Sequence, residues 1–205
     1  MSQITSGLRA LLSQPFLYNL FQKAVGAEKV RSELVSEFIL PKKNDKILDI
    51  GCGTAEILNF LPASIKYYGF DISEDYIKSA INKFGKRGNF YCANLNEPRF
   101  KNLKSFDTII AIGVLHHLSN KEARELMILL RQKLKPGGRF ISIDACLIPN
   151  QNPLAKFIIM RDRGQNIRTP KCYQGLTNKI FSKVNVALKH RHLIPYTHWI
   201  MECIK

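Results

Sequence analysis

Apolar stretches of strand length alternate with stretches of helical periodicity along most of this 205-residue chain. Five strands are expected before residue 146, at 46–50, 66–71, 89–93, 106–113 and 139–145. The fourth has no polar side chain from Ile109 onward, as expected for a central strand covered on both faces. Strands separated by helices predict an α/β fold with a parallel sheet and crossover helices.

The chain is expected to fold as a single domain with three parts. Residues 1–40 form a helical lid, residues 41–145 form the core, and residues 146–205 form a basic loop and a C-terminal hairpin. The loop is expected to be irregular as far as residue 175. Helices are expected near 3–12, 16–25 and 28–39 and, in the core, from Thr54, Ser73 and Ser119. The hairpin pairs segments at about 184–193 and 196–204.

The turn after the first strand has the sequence LDIGCGTA, at 48–55. Gly51 and Gly53 allow the backbone to pass close to a ligand, and a helix start would add unpaired N–H groups. Asp71 ends the next strand, where a carboxylate can accept hydrogen bonds from two ribose hydroxyls. Glu56 stands where a dinucleotide-binding turn has its third glycine, and a carboxylate beside a pyrophosphate is unfavourable. A nucleoside ligand without phosphate, such as S-adenosylmethionine, is therefore favoured.

Five motifs in order resemble those of the class I S-adenosylmethionine-dependent methyltransferases. They are LDIGCGTA (48–55), YYGFDIS (67–73), CANL (92–95), FDTIIAIGVLHHL (106–118) and LKPGGRF (134–140). Segments 18–22, 161–170 and 194–203 are similar to parts of a smaller bacterial group of stand-alone enzymes acting on small molecules. The resemblance implies a Rossmann-like, seven-stranded, mostly parallel sheet with helices on both faces and the last strand inserted antiparallel.

The same resemblance implies the residues that hold the cofactor. Gly51 and Gly53 would line its amino-acid tail, Asp49 would order that turn, and Asp71 would hold the ribose. Two positions depart from the family pattern, since Ala55 replaces a third glycine and Asn94 replaces an aspartate that contacts adenine. The expected cofactor contacts are Tyr18, Asp49, Gly51, Gly53, Asp71, Ile72, Asn94, Leu95, Ile112 and Gly113.

Methyl transfer from a sulfonium needs positioning of the acceptor and, for a hydroxyl acceptor, a general base. The candidate bases are His116, His117 and His198. Side chains of adjacent residues point in different directions, so one of His116 and His117 is expected to face the site and the other to pack. Similar family members carry the His116–His117 pair without a demonstrated catalytic role, and core packing of Tyr196 and Trp199 is the alternative around His198. Metal-ligand spacing is not evident in the sequence, and no metal is expected.

The charge of the chain is strongly positive, with 31 Lys and Arg against 16 Asp and Glu, or +15. Residues 145–205 alone carry 10 basic and 2 acidic groups. Arginines and aromatic residues in this part are expected to bind an anionic or lipid-linked small acceptor, although Asp162 could instead pair with one arginine in a structural ion network. The expected acceptor contacts are Arg161, Arg163, Arg168, Tyr173 and Tyr196.

The sequence is also compatible with other functions. The charge also suits a methyltransferase acting on RNA or protein, and RNA binding would weaken steeply with salt. A non-catalytic S-adenosylmethionine-binding module and, more distantly, a nicotinamide oxidoreductase use similar folds. Five cysteines without a C-x-x-C pair indicate a reducing, cytoplasmic location, and no apolar run reaches the length of a membrane span.

Overall fold

The structure, a computed structural model, describes residues 27–94, 97, 100, 102–162, 164–191 and 195–205. Several expectations therefore lie outside the described residues. They are the helices near 3–12 and 16–25 with Tyr18, the cofactor contact Leu95 and the acceptor contact Arg163.

The described chain contains a mixed sheet of seven strands. They are β1 (Lys46–Ile50), β2 (Lys66–Asp71), β3 (Gly88–Cys92), β4 (Phe106–Ile112), β5 (Leu134–Ala145), β6 (Lys183–Arg191) and β7 (Tyr196–Ile204). Their order across the sheet is β3-β2-β1-β4-β5-β7-β6. The first five are parallel, whereas β7 runs antiparallel to both β5 and β6. The predicted Rossmann-like topology, with its last strand inserted antiparallel, is confirmed.

In the described part of the chain, five α-helices flank the sheet. They are α1 (Ala27–Leu34), α2 (Glu74–Phe84), α3 (Asn120–Lys133), α4 (Pro153–Ile159) and α5 (Pro170–Thr177). A π-helical turn, Val35–Ile39, continues α1. The prediction that residues 146–175 are irregular is wrong, because α4 and α5 each begin at a proline, whose fixed φ suits a first helical position.

The helix expected from Thr54 is also absent. Ala55 adopts a left-handed conformation with φ of 56°, and only a 3-10 turn, Glu56–Asn59, follows it. Pro62 prevents the helix from extending toward β2. The Arg87 guanidinium donates to the carbonyls of Leu58 and Leu61, which the short turn leaves without helical partners. Among residues 54–62, all of them described, no α-helix therefore follows the glycine turn to direct its dipole at a ligand.

Hydrophobic cores cover both faces of the sheet. Neighbouring residues of β1 alternate between them, with Ile47 in one core and Leu48 in the other. Met127 of α3 packs with Leu48, while Phe84 of α2 packs with Ile47. Because both faces are covered, the carboxyl ends of the parallel strands are the edge at which a ligand can approach the sheet.

The start of α3 offers a test of local structure beside that edge. The Ser119 hydroxyl accepts the Glu122 N–H, and the Glu122 carboxylate accepts the Ser119 N–H. Ser119→Ala should lower the free energy of unfolding by about 1 kcal/mol because the helix loses its cap. Ser36→Ala is the matched control, since that hydroxyl only donates to Glu33 within a helix. Equal destabilisation of both variants in urea denaturation would contradict the assignment.

Candidate active site

Loops from four neighbouring strands meet at the carboxyl edge of the sheet. Gly51 follows β1, Asp71 ends β2, Asn94 follows β3, and Gly113 follows β4. These strands are adjacent in the order β3-β2-β1-β4, so the four positions lie along one edge. Ile72, 47% exposed, and the partly buried Ile112 belong to the same edge. The tertiary structure therefore brings together the described residues expected to contact a nucleoside.

The glycine turn has a shape that larger residues would disturb. Gly51 and Gly53 have positive φ values of 68° and 54°. A Cβ on Gly51 would lie 2.7 Å from Val114 Cγ2, whereas a Cβ on Gly53 would meet no described atom within 4 Å. The N–H groups of Gly51 and Cys52 both donate to the Phe70 carbonyl, at 2.8 and 3.0 Å. The turn is thus anchored to β2 while its second glycine borders open space.

Asp71 holds the same turn through its carboxylate. Oδ2 accepts the Gly53 N–H at 2.9 Å, and Oδ1 accepts the Ser73 N–H at 2.9 Å. Each carboxylate oxygen can accept more than one hydrogen bond, so both remain capable of accepting a ligand hydroxyl. The two backbone bonds fix the direction in which those acceptors point.

Asp49 is a buried carboxylate directly before the turn. Its Oδ2 accepts the Tyr67 hydroxyl at 2.6 Å, while its Oδ1 has no hydrogen-bond partner in the described part of the chain. Burial raises the pKa of Asp49 to about 7, against the opposing effect of the Tyr67 hydrogen bond. The folded protein therefore loses stability as this group ionises between about pH 4 and pH 7. A cationic group reaching Oδ1 would offset that cost.

A second cluster of polar side chains lies beside the ends of β4, β5 and β7. His116 Nδ1 is 2.9 Å from Asp144 Oδ1, and His116 Nε2 is 3.2 Å from Asp162 Oδ1. The Tyr196 hydroxyl donates to Asp162 Oδ2 at 2.8 Å, and the Tyr196 and His198 rings lie 4.8 Å apart. A Cβ on Gly164 would lie 2.0 Å from His116 Cδ2, so the backbone there packs directly on the imidazole.

The two histidines of this cluster carry different charges at neutral pH. Burial opposes protonation of His116, but hydrogen bonds to Asp144 and Asp162 outweigh it and raise the pKa to about 9. Burial, assisted by the charge of Arg191, lowers the pKa of His198 to about 4. His198 Nδ1 has no hydrogen-bond partner within the described ranges. His116 is therefore a cation, whereas His198 is a neutral imidazole able to accept a proton.

His116 and His117 do not diverge as expected. Both are buried in the 3-10 turn Leu115–His117, and their ring centroids lie 4.2 Å apart. Ligand atoms of His116, His117 and Asp162 all lie within 4.8 Å of one another. No sequence pattern indicates this cluster, because Asp162 belongs to a segment more than forty residues away from the two histidines.

Two expected acceptor contacts have structural roles instead. The Arg168 guanidinium donates to the carbonyls of Leu115, Leu118 and Asn166 and to the side chain of Asn120. Tyr173 is buried and donates its hydroxyl to the Ala145 carbonyl at 2.9 Å. Arg161 is exposed, with its guanidinium 3.4 Å from the centre of the Phe157 ring. Arg161 and Tyr196 therefore remain the described candidates for contact with an acceptor.

Sequence reasoning missed Tyr67 and Asp144 and misjudged Asp162. Asp144 is buried near the carboxyl end of β5, and an acid in a strand as apolar as FISIDA is a signal that was available. Asp162 was considered only as an alternative partner for an arginine, whereas it contacts His116 and Tyr196. No local pattern identifies Tyr67, since its partner Asp49 lies on the neighbouring strand.

Comparisons with known proteins agree with this arrangement. The methyltransferase domain family matches residues 48–140. A carboxy-S-adenosyl-L-methionine synthase from Campylobacter lari is 29% identical over 180 residues, covering 82% of this chain and 70% of that protein. The crystal structure of a SAM dependent methyltransferase from Archaeoglobus fulgidus shares the fold with a TM-score of 0.73 at 20% identity, covering 92% of this chain and 99% of that chain.

A probable tRNA methyltransferase 9B from Mus musculus is 35% identical over 109 residues, or 52% of this chain. The chain spans only 23% of the length of that relative. The domain match and the shared fold support the resemblance to the class I S-adenosylmethionine-dependent methyltransferases that the sequence motifs indicate. Among the residues that the structure describes, no helix is long and apolar enough to cross a membrane.

The role of Arg168 can be tested by its effect on stability. Arg168→Ala should lower the free energy of unfolding by about 3 kcal/mol, because three carbonyls lose a donor, two of them in the buried turn at Leu115 and Leu118. Arg161→Ala, at an exposed position, should change it by less than about 0.5 kcal/mol. Wild-type stability of Arg168→Ala in chemical denaturation would show that the guanidinium is not structural.

Proposed function

We propose that this protein transfers the methyl group of S-adenosylmethionine to an oxygen or nitrogen atom of a small acceptor that is anionic or lipid-linked. The observation that carries the proposal is the juxtaposition of two features at one sheet edge. A buried carboxylate with an unpartnered oxygen, Asp49, lies beside the glycine turn, and a neutral imidazole, His198, lies in the neighbouring cluster. The carboxylate suits the cationic cofactor, and the neutral imidazole suits the nucleophilic acceptor. Methyl transfer needs these two environments side by side.

The residues present fit the cofactor. Asp49 Oδ1 would accept from its ammonium group, Asp71 would accept from the ribose hydroxyls, and Ile72 would pack on the adenine. Gly53 leaves open space through which the amino-acid tail can approach the backbone. When bound, the cofactor supplies a methyl group that its sulfonium already activates.

The histidines would divide the remaining tasks. His198 is neutral at physiological pH, but its pKa of about 4 makes it a weak base, so its Nδ1 would take the acceptor's proton only as the methyl group is transferred and that proton becomes acidic. His116 is held as a cation by two carboxylates and is a poor base at that pH. Its task would be to keep the loop at Asp162 against the sheet, which places Tyr196 and Arg161 beside the acceptor.

RNA is the second candidate acceptor. It is favoured by the net charge of +15 and by the similarity to a probable tRNA methyltransferase in mouse. Binding through phosphates should weaken steeply between 50 and 200 mM salt, whereas binding of a small acceptor should not.

We also propose a cytoplasmic location. All five cysteines are free, which suits a reducing compartment.

The activity is tested with methyl-labelled S-adenosylmethionine and a lysate of the source cell. Label should appear in a solvent-extractable or small water-soluble fraction. Asp71→Ala should weaken cofactor affinity at least tenfold and remove this labelling, whereas Asp75→Ala, an exposed acid of α2, should leave both unchanged. Label sensitive to ribonuclease or protease would overturn the small-acceptor assignment, and no label in any fraction would overturn the methyl transfer.

The pH dependence of cofactor binding tests the role of Asp49. With a pKa of about 7, the carboxylate is mostly ionised at pH 8 and mostly protonated at pH 6. Affinity for S-adenosylhomocysteine, which keeps the same ammonium group, should therefore fall about tenfold from pH 8 to pH 6. Asp49→Asn should bind weakly with no such dependence in calorimetry. A wild-type affinity that is constant over this range would contradict contact between Asp49 and the ammonium.

A further inference from the structure

We propose that His116, His117 and Asp162 form a binding site for a single divalent transition-metal ion, with Zn²⁺ as the best match. The ligand atoms of these side chains lie within 4.8 Å of one another. His116 Nε2 and Asp162 Oδ1 are 3.2 Å apart. Two ligands at about 2.0 Å from a tetrahedral ion are separated by roughly 3.3 Å. This pair is therefore already spaced as a metal would require.

The surroundings of the three side chains hold them in place. Asp144 Oδ1 accepts from both the backbone N–H and Nδ1 of His116, which directs Nε2 toward Asp162. A histidine ligand held by a carboxylate on its far nitrogen is a recurring arrangement in metal sites. Asp162 is oriented in turn by the Tyr196 hydroxyl on Oδ2 and the Gly164 N–H on Oδ1.

The donor set selects the class of ion. Two imidazoles and one carboxylate suit Zn²⁺, Co²⁺ or Fe²⁺, whereas Mg²⁺ and Ca²⁺ prefer oxygen donors alone. Access differs among the ligands, because the Asp162 side chain is 26% exposed and that of His116 only 7%. An ion can therefore enter from the Asp162 side. Three protein ligands leave a tetrahedral ion one position for water or a substrate atom.

The open position suggests a use that rests on the proposed methyl transfer. The cluster follows β4, and the Gly113 backbone packs close to His116. An acceptor hydroxyl bound to the ion would be more acidic, because the metal stabilises the alkoxide as a Lewis acid. The metal ion would take the position of the proton that lies between His116 and Asp162. Binding the ion therefore releases that proton.

Co²⁺ is the first probe, since its visible absorption reports coordination geometry. Chelator-treated full-length protein should bind one equivalent of Co²⁺, giving tetrahedral visible bands that Zn²⁺ abolishes. Asp162→Asn and His117→Gln should each weaken the binding at least tenfold. His190→Gln is the matched control, because His190 is an exposed histidine of β6. Thermal unfolding of every variant shows whether it remains folded.

Several outcomes would overturn the site. They are no binding of Co²⁺ or Zn²⁺ at micromolar concentrations, binding unchanged in both variants, and thiolate-to-cobalt charge-transfer absorption, which would place the ion on a cysteine. If one variant misfolds, the other variant and the wild-type Co²⁺ spectrum still test the site. Metal titration needs neither cofactor nor acceptor. Failure of methyl transfer with intact Co²⁺ binding would therefore overturn the proposed function alone, and loss of the bands with intact transfer would overturn the metal site alone.

Discussion

The imidazole of His116, hydrogen-bonded to Asp144 on one side and facing Asp162 on the other, joins segments that are far apart in the chain. Asp144 belongs to β5, His116 follows β4, and Asp162 precedes α5. Charges attract more strongly in a buried environment than in water, so this bridge holds the loop firmly against the sheet. Tyr196 depends on it, since its hydroxyl donates to Asp162. The acceptor side of the proposed active site is thus organised around one cation position, whether a proton or a metal ion occupies it.

The part of the sheet edge where we propose that the cofactor binds contains a buried carboxylate instead of a cation. Asp49 lies buried with one oxygen lacking a hydrogen-bond partner among the described residues, an arrangement that costs folding free energy once the carboxylate ionises. A neutral side chain at this position would make the protein without ligand more stable. An acid is nevertheless useful here if a cationic ligand interacts with its free oxygen, which is a common conflict between stability and function.

Much of the fold could be predicted because strands such as 106–112 are mostly apolar and follow one another with helices between them. The predictions that were wrong have local causes. Ala55 adopts a left-handed conformation that stops a helix, and α4 and α5 are short helices whose start at proline resembles a loop. Arg168 was predicted to bind an anion because the sequence does not show its real partners. These are backbone carbonyls in the turn at Leu115–Leu118.

The sequence by itself determined the sheet edge at which we propose that the cofactor binds, because glycines and acids placed directly after parallel strands come together in any right-handed α/β sheet. The proposal of Gly51, Gly53 and Asp71 as cofactor contacts needed only their spacing. Tertiary structure alone decided the His116–Asp144–Asp162 cluster and the different charges of His116 and His198. The physical reason is that burial and hydrogen bonding set the charge of a histidine, and both depend on partners that lie tens of residues away in the chain.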